Sequence, residues 1–455
     1  MKGSMLKVII ISLIFIAFIT SCSDKKDAVY GPGNSDTRVR FYNGLVYTGD
    51  AIIEAELWVE GNRITYIGEP KPSAHKFDLE YDLKENLLMP GFKNAHAHSP
   101  MTFLRSFADD LPLDRWLNEM VFPMEAKLEA EDVYWLYTLA VLEYIEGGIT
   151  AAFDMYFFTE EMARAANDTG FRAVFCSPVN DFSESIEIHE NNFLHLNNYN
   201  ERITYHLGFH AEYTTSEELL KQVAELSHKY KSPVFFHNSE TAAEVEGCIE
   251  RHGMTPTAYL NSLGLFEFGG GSFHCVHITG EDIAIMREKN MAVITNPASN
   301  CKLASGIAPV REMLDAGLLV GIGTDGAASN NALDMFREMY LAASLQRILL
   351  NDAAAVGADE ILEMAVRSSA LIMGLDEAVG LETGMLADLF VLDLNQPNMQ
   401  PKNDIVKNIV YAGGKQNVIL TMVNGRILYE NGEYYIGIPA DEIYAKAEAI
   451  INRIK

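Results

Sequence analysis

Four short segments of the sequence place histidines and carboxylates at spacings that could bind a metal ion or move protons. They are Asn94-Ala95-His96-Ala97-His98, His237-Asn238-Ser239-Glu240, Phe273-His274-Cys275-Val276-His277 and Gly323-Thr324-Asp325-Gly326. Two neutral imidazoles in a His-x-His pair suit a borderline metal such as zinc. A carboxyl group just beyond a histidine suits metal-assisted hydrolysis, in which an acid that is not a ligand transfers protons.

Three of these segments also have a structural interpretation that needs no chemistry. His237 and Glu240 could lie in a helix-capping loop, and Asp325 could cap a following helix. His274 could be a hydrogen-bonded core residue, and His277 is interpreted as structural. All these segments, however, follow apolar runs, in the order His-x-His, His, His, Asp. That joint arrangement is much harder to explain by packing alone.

The elements that would position these residues are short apolar strands alternating with helical patterns. Besides the strand before His96, apolar runs cover residues 150–153, 173–176, 203–209, 234–237, 272–275, 292–294 and 318–322. Helical patterns between and after them cover residues 132–145, 216–230, 281–289 and 332–349. Eight such strands predict an α/β fold, a (β/α)₈ TIM barrel. Catalytic groups of this barrel lie at the carboxyl ends of its strands, where His96 and His98 would point the same way.

Short β-strands with turn residues between them occur near both ends of the chain. They predict a small β-sandwich domain assembled from residues 38–88 and 376–440. The barrel would then occupy residues 89–375, and a C-terminal helix residues 441–455.

The composition indicates a folded, acidic protein. Hydrophobic residues make up 48% of the chain, and 35 Lys and Arg against 63 Asp and Glu give a net charge of −28. Such a surface argues against a nucleic-acid partner, which needs a basic footprint. It favours a neutral or cationic small-molecule substrate over a polyanion.

The first 22 residues resemble a bacterial lipoprotein signal. Lys2 and Lys7 precede a short apolar run, and Ile19-Thr20-Ser21-Cys22 resembles a lipobox, whose cysteine carries the lipid. The chain would then be exported and anchored to a membrane of the bacterial cell envelope through Cys22, with residues 23–37 as a tether. An ordinary secretory signal or an uncleaved anchor is the alternative. The four other cysteines form no disulfide scaffold and are predicted to be buried thiols; they are Cys176, Cys248, Cys275 and Cys301.

Longer motifs resemble the amidohydrolase superfamily from about residue 40 to 440. They are PGFKNAHAHSPMTFLRS, HNSE, FHCVH, NPASNCKLASGIAPV, GTDGAASNN, GLETGMLADLFVLD and MVNGRILYENGEY. The match is best to the S-adenosylhomocysteine and methylthioadenosine deaminase branch, which is also described as chlorohydrolase-like. The resemblance implies that His96, His98, His237 and Asp325 bind one divalent metal, usually zinc and sometimes iron. It implies that His274 and Asp325 orient a metal-bound water and that Glu240 protonates the ring nitrogen.

The same resemblance suggests two substrate contacts and one departure from the family. Glu125 matches a glutamate that holds ribose hydroxyls, although an exposed helical glutamate is an equally good interpretation, and His210 matches a histidine near the purine. Relatives that bind S-adenosylhomocysteine present arginines after the third strand, whereas residues 176–201 contain no Lys or Arg. A carboxylate-bearing substrate is therefore disfavoured. Methylthioadenosine, adenosine or another uncharged amino-heterocycle fits better.

The leading interpretation is a hydrolase of carbon–nitrogen bonds other than peptide bonds, a hydrolytic deaminase of a purine nucleoside or similar heterocycle. A second enzymatic interpretation keeps the metal and removes chloride, an alkylamine or an amide group. A third is an exported metal- or ligand-binding lipoprotein that is not an enzyme. A homo-oligomer is possible on the resemblance alone.

Overall fold

The computed structural model describes residues 37–73, 76–107, 109–111 and 115–455. The predicted signal segment 1–22, with Cys22, and all but the last residue of the predicted tether lie outside the described residues. Among the described helices, none combines the length and apolar character needed to cross a membrane.

Eight parallel strands follow one another around a near-barrel, which confirms the predicted α/β fold. Neighbours in the chain are neighbours in the sheet. The strands are Phe92–Ala97, Ile149–Met155, Arg172–Cys176, Ile203–Ala211, Val234–Asn238, Gly270–His274, Met291–Thr295 and Val320–Ile322. Almost every side chain on them is buried, as expected for strands covered on both faces.

The first and eighth strands meet through a few specific contacts. The Asn94 side chain exchanges two hydrogen bonds with Thr324, each 2.8 Å long. The backbone N–H of Asp325 donates to the carbonyl of His96 at 3.0 Å. A side chain at Gly323 would lie 2.7 Å from the His96 backbone nitrogen, so glycine permits this approach. The contacts bring the segments that carry His96 and Asp325 together.

Helices cover the outside of the barrel and close its ends. The α-helices are Phe122–Glu125, Ala130–Glu146, Thr159–Thr169, Ile186–Leu196, Glu217–Tyr230, Ala242–His252, Pro256–Ser262, Gly280–Glu288, Pro297–Lys302, Val310–Asp315, Ala327–Asn330, Met335–Leu350, Ala358–Glu363, Ser369–Ile372, Ile405–Ala412 and Ala440–Ile454. Wider π-type turns cover Trp116–Val121 and Met364–Ser368. The predicted helical patterns correspond to four of these helices, and the shifts at their ends are small.

Two boundaries differ from the sequence prediction for clear reasons. The helix predicted over 332–349 begins at Met335, because the Asp334 side chain accepts a hydrogen bond from Phe336 N at 2.9 Å and caps it. The strand predicted over 272–275 begins at Gly270. A Cβ there would lie 1.9 Å from the Val234 carbonyl, so this pairing requires glycine.

Two further sheets form a β-rich part to which both ends of the chain contribute, as predicted; the first lies wholly in the N-terminal part, and the second combines strands from both ends. One has four strands, Arg38–Tyr42, Glu56–Glu60, Arg63–Gly68 and Leu79–Asp82. The other has seven, Leu45–Tyr47, Ile52–Glu54, Leu87–Pro90, Leu389–Leu392, Val418–Val423, Arg426–Glu430 and Glu433–Tyr434. The two ends join where Leu389–Leu392 pairs antiparallel with Leu87–Pro90. A shared apolar core containing Phe41, Leu88 and Leu389 lies between the sheets.

The prediction of four buried thiols is wrong for one cysteine. Cys176, Cys248 and Cys275 are buried, but Cys301 is exposed. It lies on the short helix Pro297–Lys302, whose other side holds the buried Ser299 and Asn300. The thiol therefore faces away from the barrel.

Candidate active site

Three histidines and one aspartate meet at the carboxyl end of the barrel. Asp325 Oδ1 lies 3.5 Å from His96 Nε2 and 3.3 Å from His98 Nε2. His98 Nε2 is in turn 3.3 Å from His237 Nε2. Residues distant in the sequence thus bring four potential metal ligands within a few ångströms of one another.

Backbone carbonyls fix the orientation of two of these imidazoles. His98 Nδ1 lies 2.5 Å from the Met155 carbonyl, and His237 Nδ1 lies 2.8 Å from the His210 carbonyl. A carbonyl oxygen can only accept, so each Nδ1 carries the hydrogen. Each Nε2 then presents its lone pair to the cluster, as a metal-ligating histidine does.

His96 provides the observation that tests whether a metal ion fits here. Its side chain is fully buried, and neither ring nitrogen has a hydrogen-bond partner among the described residues. Burial lowers the pKa of His96 to about 3, so the ring is neutral. A buried polar group without a partner normally costs free energy. A cation held between His96 and Asp325 would remove that cost, so the donor set fits a divalent metal.

Asp325 is held in place by two serine hydroxyls. Ser299 Oγ and Ser329 Oγ donate to its Oδ2 at 2.5 and 2.8 Å. Its backbone has a φ of 60°, a left-handed conformation that is uncommon outside glycine and concentrated at functional sites. Because both serines bind Oδ2, the other oxygen, Oδ1, faces His96 and His98.

His274 and Glu240 form a second pair beside the cluster. His274 Nε2 lies 3.9 Å from Glu240 Oε2, and His274 Nδ1 lies 2.8 Å from Asn300 Oδ1. Burial raises the pKa of Glu240. Burial alone would lower the pKa of His274, but the carboxylates of Glu240 and Asp325 outweigh it and raise that pKa. The pair can therefore hold and exchange a proton.

The loop that carries Glu240 is fixed from two sides. Both oxygens of Glu244 accept backbone hydrogen bonds, from Ser239 N at 2.8 Å and Glu240 N at 2.7 Å. Ser305 Oγ donates to Glu240 Oε1 at 3.2 Å, and the Ser305 carbonyl binds His277 Nε2 at 2.7 Å. His277 thus has a supporting contact, in keeping with its structural interpretation.

A cavity of about 1000 Å³ opens over this cluster and includes both predicted substrate contacts. Glu125 is buried rather than exposed, and Tyr156 OH donates to its Oε1 at 2.6 Å. Burial raises the pKa of Glu125 to about 7. His210 lines the same cavity, and its Nδ1 lies 2.9 Å from Thr214 Oγ1. Both residues stay predicted substrate contacts.

Sequence reasoning selected every residue of the cluster but missed the groups that position them. These are Asn300, Ser299, Ser305, Ser329 and Glu244. All but Glu244 lie in the NPASNCKLAS and GTDGAASNN motifs, so the motifs marked the segments without revealing the roles. Glu244 lies four residues after Glu240, and no signal in the sequence distinguishes it from a surface glutamate.

A parallel eight-stranded barrel with a histidine–carboxylate cluster at its carboxyl end is typical of metal-dependent barrel hydrolases. The family model described as "Amidohydrolase family" matches residues 87–428. The chain belongs to the amidohydrolase family.

Several curated proteins and solved structures are similar over almost the whole chain. A 5-methylthioadenosine/S-adenosylhomocysteine deaminase of Caldanaerobacter subterraneus subsp. tengcongensis is 39% identical over 421 residues, covering 90% of this chain and 96% of that one. A 5′-deoxyadenosine deaminase of Methanocaldococcus jannaschii is 39% identical over 411 residues, covering 88% and 96%. The crystal structure of an adenosine deaminase from Xanthomonas campestris with bound zinc superposes with a TM-score of 0.86 at 31% identity, covering 93% and 99%.

Proposed function

We propose that this protein is a metal-dependent hydrolytic deaminase that releases ammonia from the purine ring of a nucleoside. The observation that carries the proposal is the convergence of His96, His98, His237 and Asp325 beside the pair formed by Glu240 and His274. The names of the similar proteins, which are deaminases of adenosine derivatives, support the same reaction.

In this proposal one divalent ion, zinc before iron, is held by the three histidines and Asp325. When bound, the ion lowers the pKa of a water molecule to near neutrality. His274 Nε2 and Asp325 Oδ1 orient that water and accept its proton. Glu240, whose pKa is raised by burial, delivers a proton to the ring nitrogen next to the amino-bearing carbon. The amino group takes the proton held by His274 and Asp325 and leaves as ammonia, while the remaining hydrogen of the attacking water passes to Glu240 as the ring carbonyl forms.

The substrate half of the proposal assigns the sugar to Glu125 and the purine to His210. A carboxylate can accept hydrogen bonds from two ribose hydroxyls. The described cavity wall contains no lysine or arginine, so no guanidinium or ammonium group there pairs with an acidic group on the substrate. The 5′ position of the nucleoside is therefore proposed to carry no carboxylate.

Ammonia release from a panel of amino-heterocycles tests the reaction. The zinc-loaded protein would be given adenosine, methylthioadenosine, S-adenosylhomocysteine, guanine, a pterin and an aminotriazine. We expect ammonia from adenosine and methylthioadenosine and much less from S-adenosylhomocysteine. Ammonia from the aminotriazine or the pterin alone, or none from any compound with one metal bound, would contradict the proposal.

The ligand assignment predicts a loss of bound metal on substitution of His237. The variant His237→Ala should contain far less zinc than the parent protein, because one of four ligands is removed. Metal content by plasma mass spectrometry measures this without reference to activity. The control is His228→Ala, an exposed histidine on the helix Glu217–Tyr230. Equal zinc in both variants would exclude His237 as a ligand.

We further propose that Cys22 carries a lipid that anchors the exported protein to a membrane. The support is the sequence alone, the apolar run followed by Ile19-Thr20-Ser21-Cys22. Cys22→Ser should move the protein from the membrane fraction to the soluble fraction of its host, whereas Cys301→Ser should leave it in the membrane. An intact, unmodified residue 1–22 segment in the mass spectrum of the native protein would contradict the anchor.

A further inference from the structure

A second cavity lies between the edge of the seven-stranded sheet and two helices. Its volume is about 720 Å³, and none of its lining residues lines the cavity of the candidate active site. The wall comes from the hairpin that joins Leu45–Tyr47 to Ile52–Glu54, from the helix Ala358–Glu363 and from residues 402–406 at the start of the helix Ile405–Ala412. The volume lies within the range of small-molecule sites.

The wall of this second cavity is strongly acidic, and we call it the acidic cavity. Its described lining residues include one cationic side chain, that of Lys402, and five carboxylates, those of Asp50, Asp359, Glu360, Glu363 and Asp404. Two of the carboxylates are neutralised from outside the cavity, because Glu360 pairs with Arg311 and Asp404 with Lys407, both at 2.7 Å. The other three leave an excess of negative charge in the cavity.

These three carboxylates, Asp50, Asp359 and Glu363, lie near one another and repel. Asp359 and Glu363 are four residues apart on one helix, a spacing at which two like charges destabilise the helix. Burial raises the pKa of Glu363; the Arg367 guanidinium, 3.6 Å away, opposes this increase, and the charge of Asp50 adds to it. A cation placed among the three would relieve the repulsion.

Tyr47 provides the independent observation that points to a ligand. Its side chain is only 6% exposed, and its ring packs in the main apolar core. Its hydroxyl has no hydrogen-bond partner among the described residues, although a buried hydroxyl without a partner costs free energy. Burial raises the pKa of Tyr47 to about 12, and the nearby carboxylates of Glu363, Asp359 and Asp50 contribute. The hydroxyl is therefore on the cavity side of the ring.

We propose that the acidic cavity binds a small aliphatic amine with two or more ammonium groups, and that the Tyr47 hydroxyl accepts a hydrogen bond from one of these groups. The site is separate from the candidate active site, and the proposal does not depend on the proposed function.

The arrangement of the carboxylates favours an organic cation over a metal ion. Among the described residues, three or more ligand atoms within 4.8 Å of one another occur only in the candidate active site. The acidic cavity thus offers no compact set of carboxylate oxygens of the kind that calcium binds. Ammonium groups on a flexible chain can reach carboxylates that are further apart. The methylene groups between them can contact Ile52, Ile405 and Val406, the half-buried apolar side chains of the wall.

Calorimetric titration of the zinc-loaded full chain with spermidine tests the proposal. We expect one saturable site per chain. Spermidine should bind at least about tenfold more tightly than butylamine, because ammonium groups on one chain bind with a high effective concentration, and more tightly than magnesium. A chain with a net charge of −28 also attracts cations diffusely. Many weak sites without a saturable one, or tighter binding of magnesium or butylamine, would therefore overturn the proposal.

A variant that changes no charge separates the site from diffuse attraction. Tyr47→Phe removes only the hydroxyl and should weaken spermidine binding about five- to tenfold, the effect of one hydrogen bond to a charged group. The control is Tyr340→Phe, at an exposed tyrosine on the helix Met335–Leu350, which should bind like the parent protein. Parent-like binding by Tyr47→Phe would overturn the proposal.

Two charge variants test the same site in opposite directions. Glu363→Gln should weaken spermidine binding about tenfold, whereas Glu382→Gln, at an exposed position outside the cavity, should change it by less than about twofold. Lys402→Gln removes the competing cation and should tighten binding severalfold, a gain that misfolding cannot produce. Equal losses for the two glutamate variants, or weaker binding by Lys402→Gln, would contradict the site. None of these results bears on ammonia release, which tests the proposed function separately.

Discussion

At the scale of single residues, Glu240 and His274 are close enough to share one proton. Burial raises the pKa of Glu240, while the two carboxylates near His274 raise the pKa of that imidazole against its own burial. Their Nε2–Oε2 separation of 3.9 Å couples the two groups. A deaminase needs such a pair, because two protons must be moved, one to the ring nitrogen and one to the leaving ammonia, and water replaces both.

The first prediction therefore concerns the acid. Glu240→Gln should keep its metal and lose about 10²- to 10⁴-fold in kcat, since the amide cannot transfer a proton. Ammonia release and metal content, measured on one preparation, separate the two effects. Glu246→Gln, an exposed glutamate on the following helix, is the matched control. Full activity of Glu240→Gln would remove this residue as the acid.

The sequence could predict which candidate residues lie together at the carboxyl ends of the strands, because each one ends or follows a strand. It could not predict their supports, because those depend on distances between separate segments. Asn300 reaches His274 across 26 residues, and Ser305 reaches Glu240 across 65. Nothing in a single sequence reports which serine or asparagine makes such a contact.

At the scale of elements, the helix Met335–Leu350 connects two of the loops that form the site. The buried Glu338 accepts hydrogen bonds from Ala298 N at 3.0 Å and from Asn330 Nδ2 at 2.7 Å. Ala298 belongs to the helix that carries Ser299 and Asn300. Asn330 belongs to the segment after Asp325. Glu338 thus holds together the groups that orient both Asp325 and His274.

The second prediction follows from the pKa of Glu338, which burial raises to about 8. An unfolded glutamate loses its proton near pH 4.3, so between these values the folded state binds a proton that the unfolded state has lost. The free energy of unfolding should therefore fall as pH rises from about 4 to about 8, by up to about 1.4 kcal/mol for each pH unit.

The variant Glu338→Gln should lack this pH-dependent part of the free energy of unfolding, because glutamine does not titrate. Urea unfolding of the parent protein and the variant across this pH range measures the difference between their slopes. The control is Glu312→Gln, an exposed glutamate on the helix Val310–Asp315, whose profile should follow the parent. Parallel profiles for the parent and Glu338→Gln would contradict the raised pKa.

The sequence predicts the position of a strand or helix well where burial produces an apolar run. It predicts the first or last residue less well where that boundary depends on backbone geometry. The strand Gly270–His274 begins with glycines that interrupt the apolar pattern, so the sequence placed its start two residues late. Likewise, the sequence predicts no helix over Ala327–Asn330, because four residues are too few to show a period.

At the scale of the whole molecule, a buried ion pair joins the barrel to the sheets from the chain ends. Arg172 on the third barrel strand donates from Nε to Asp388 Oδ2 at 2.6 Å and from Nη2 to Oδ1 at 3.2 Å. Arg172 also binds the Asn424 side chain at 3.0 Å. Both members of the pair are almost inaccessible to water. The interface between the barrel and these sheets therefore contains a buried carboxylate, that of Asp388, which needs the Arg172 guanidinium as its partner.

The third prediction is that Arg172→Leu lowers the free energy of unfolding by about 3–5 kcal/mol, because Asp388 is left buried without its partner. Urea unfolding provides the measurement. Arg172→Leu combined with Asp388→Asn should recover part of the loss. Arg63→Leu breaks the exposed pair with Glu377 and should cost only about 0–1 kcal/mol. Similar losses for Arg172→Leu and Arg63→Leu would contradict the role of the buried pair.

The sequence predicted that both chain ends contribute to one β-rich body, but not which strands pair. Leu87–Pro90 lies against Leu389–Leu392 across about 300 residues, and no local pattern encodes that partner. The barrel lies between the two strands in the sequence. Its first and last residues are close together in the fold, so the two strands can pair.

This pairing also has a consequence for synthesis on the ribosome. The strand Leu87–Pro90 is made early, yet one of its two neighbours, Leu389–Leu392, leaves the ribosome only after all eight barrel strands. At roughly 5–20 residues per second, the early strand keeps one edge unpaired for about 15–60 seconds. An uncovered apolar edge is a site for misassociation, so we expect the nascent chain to depend on chaperone binding during that interval.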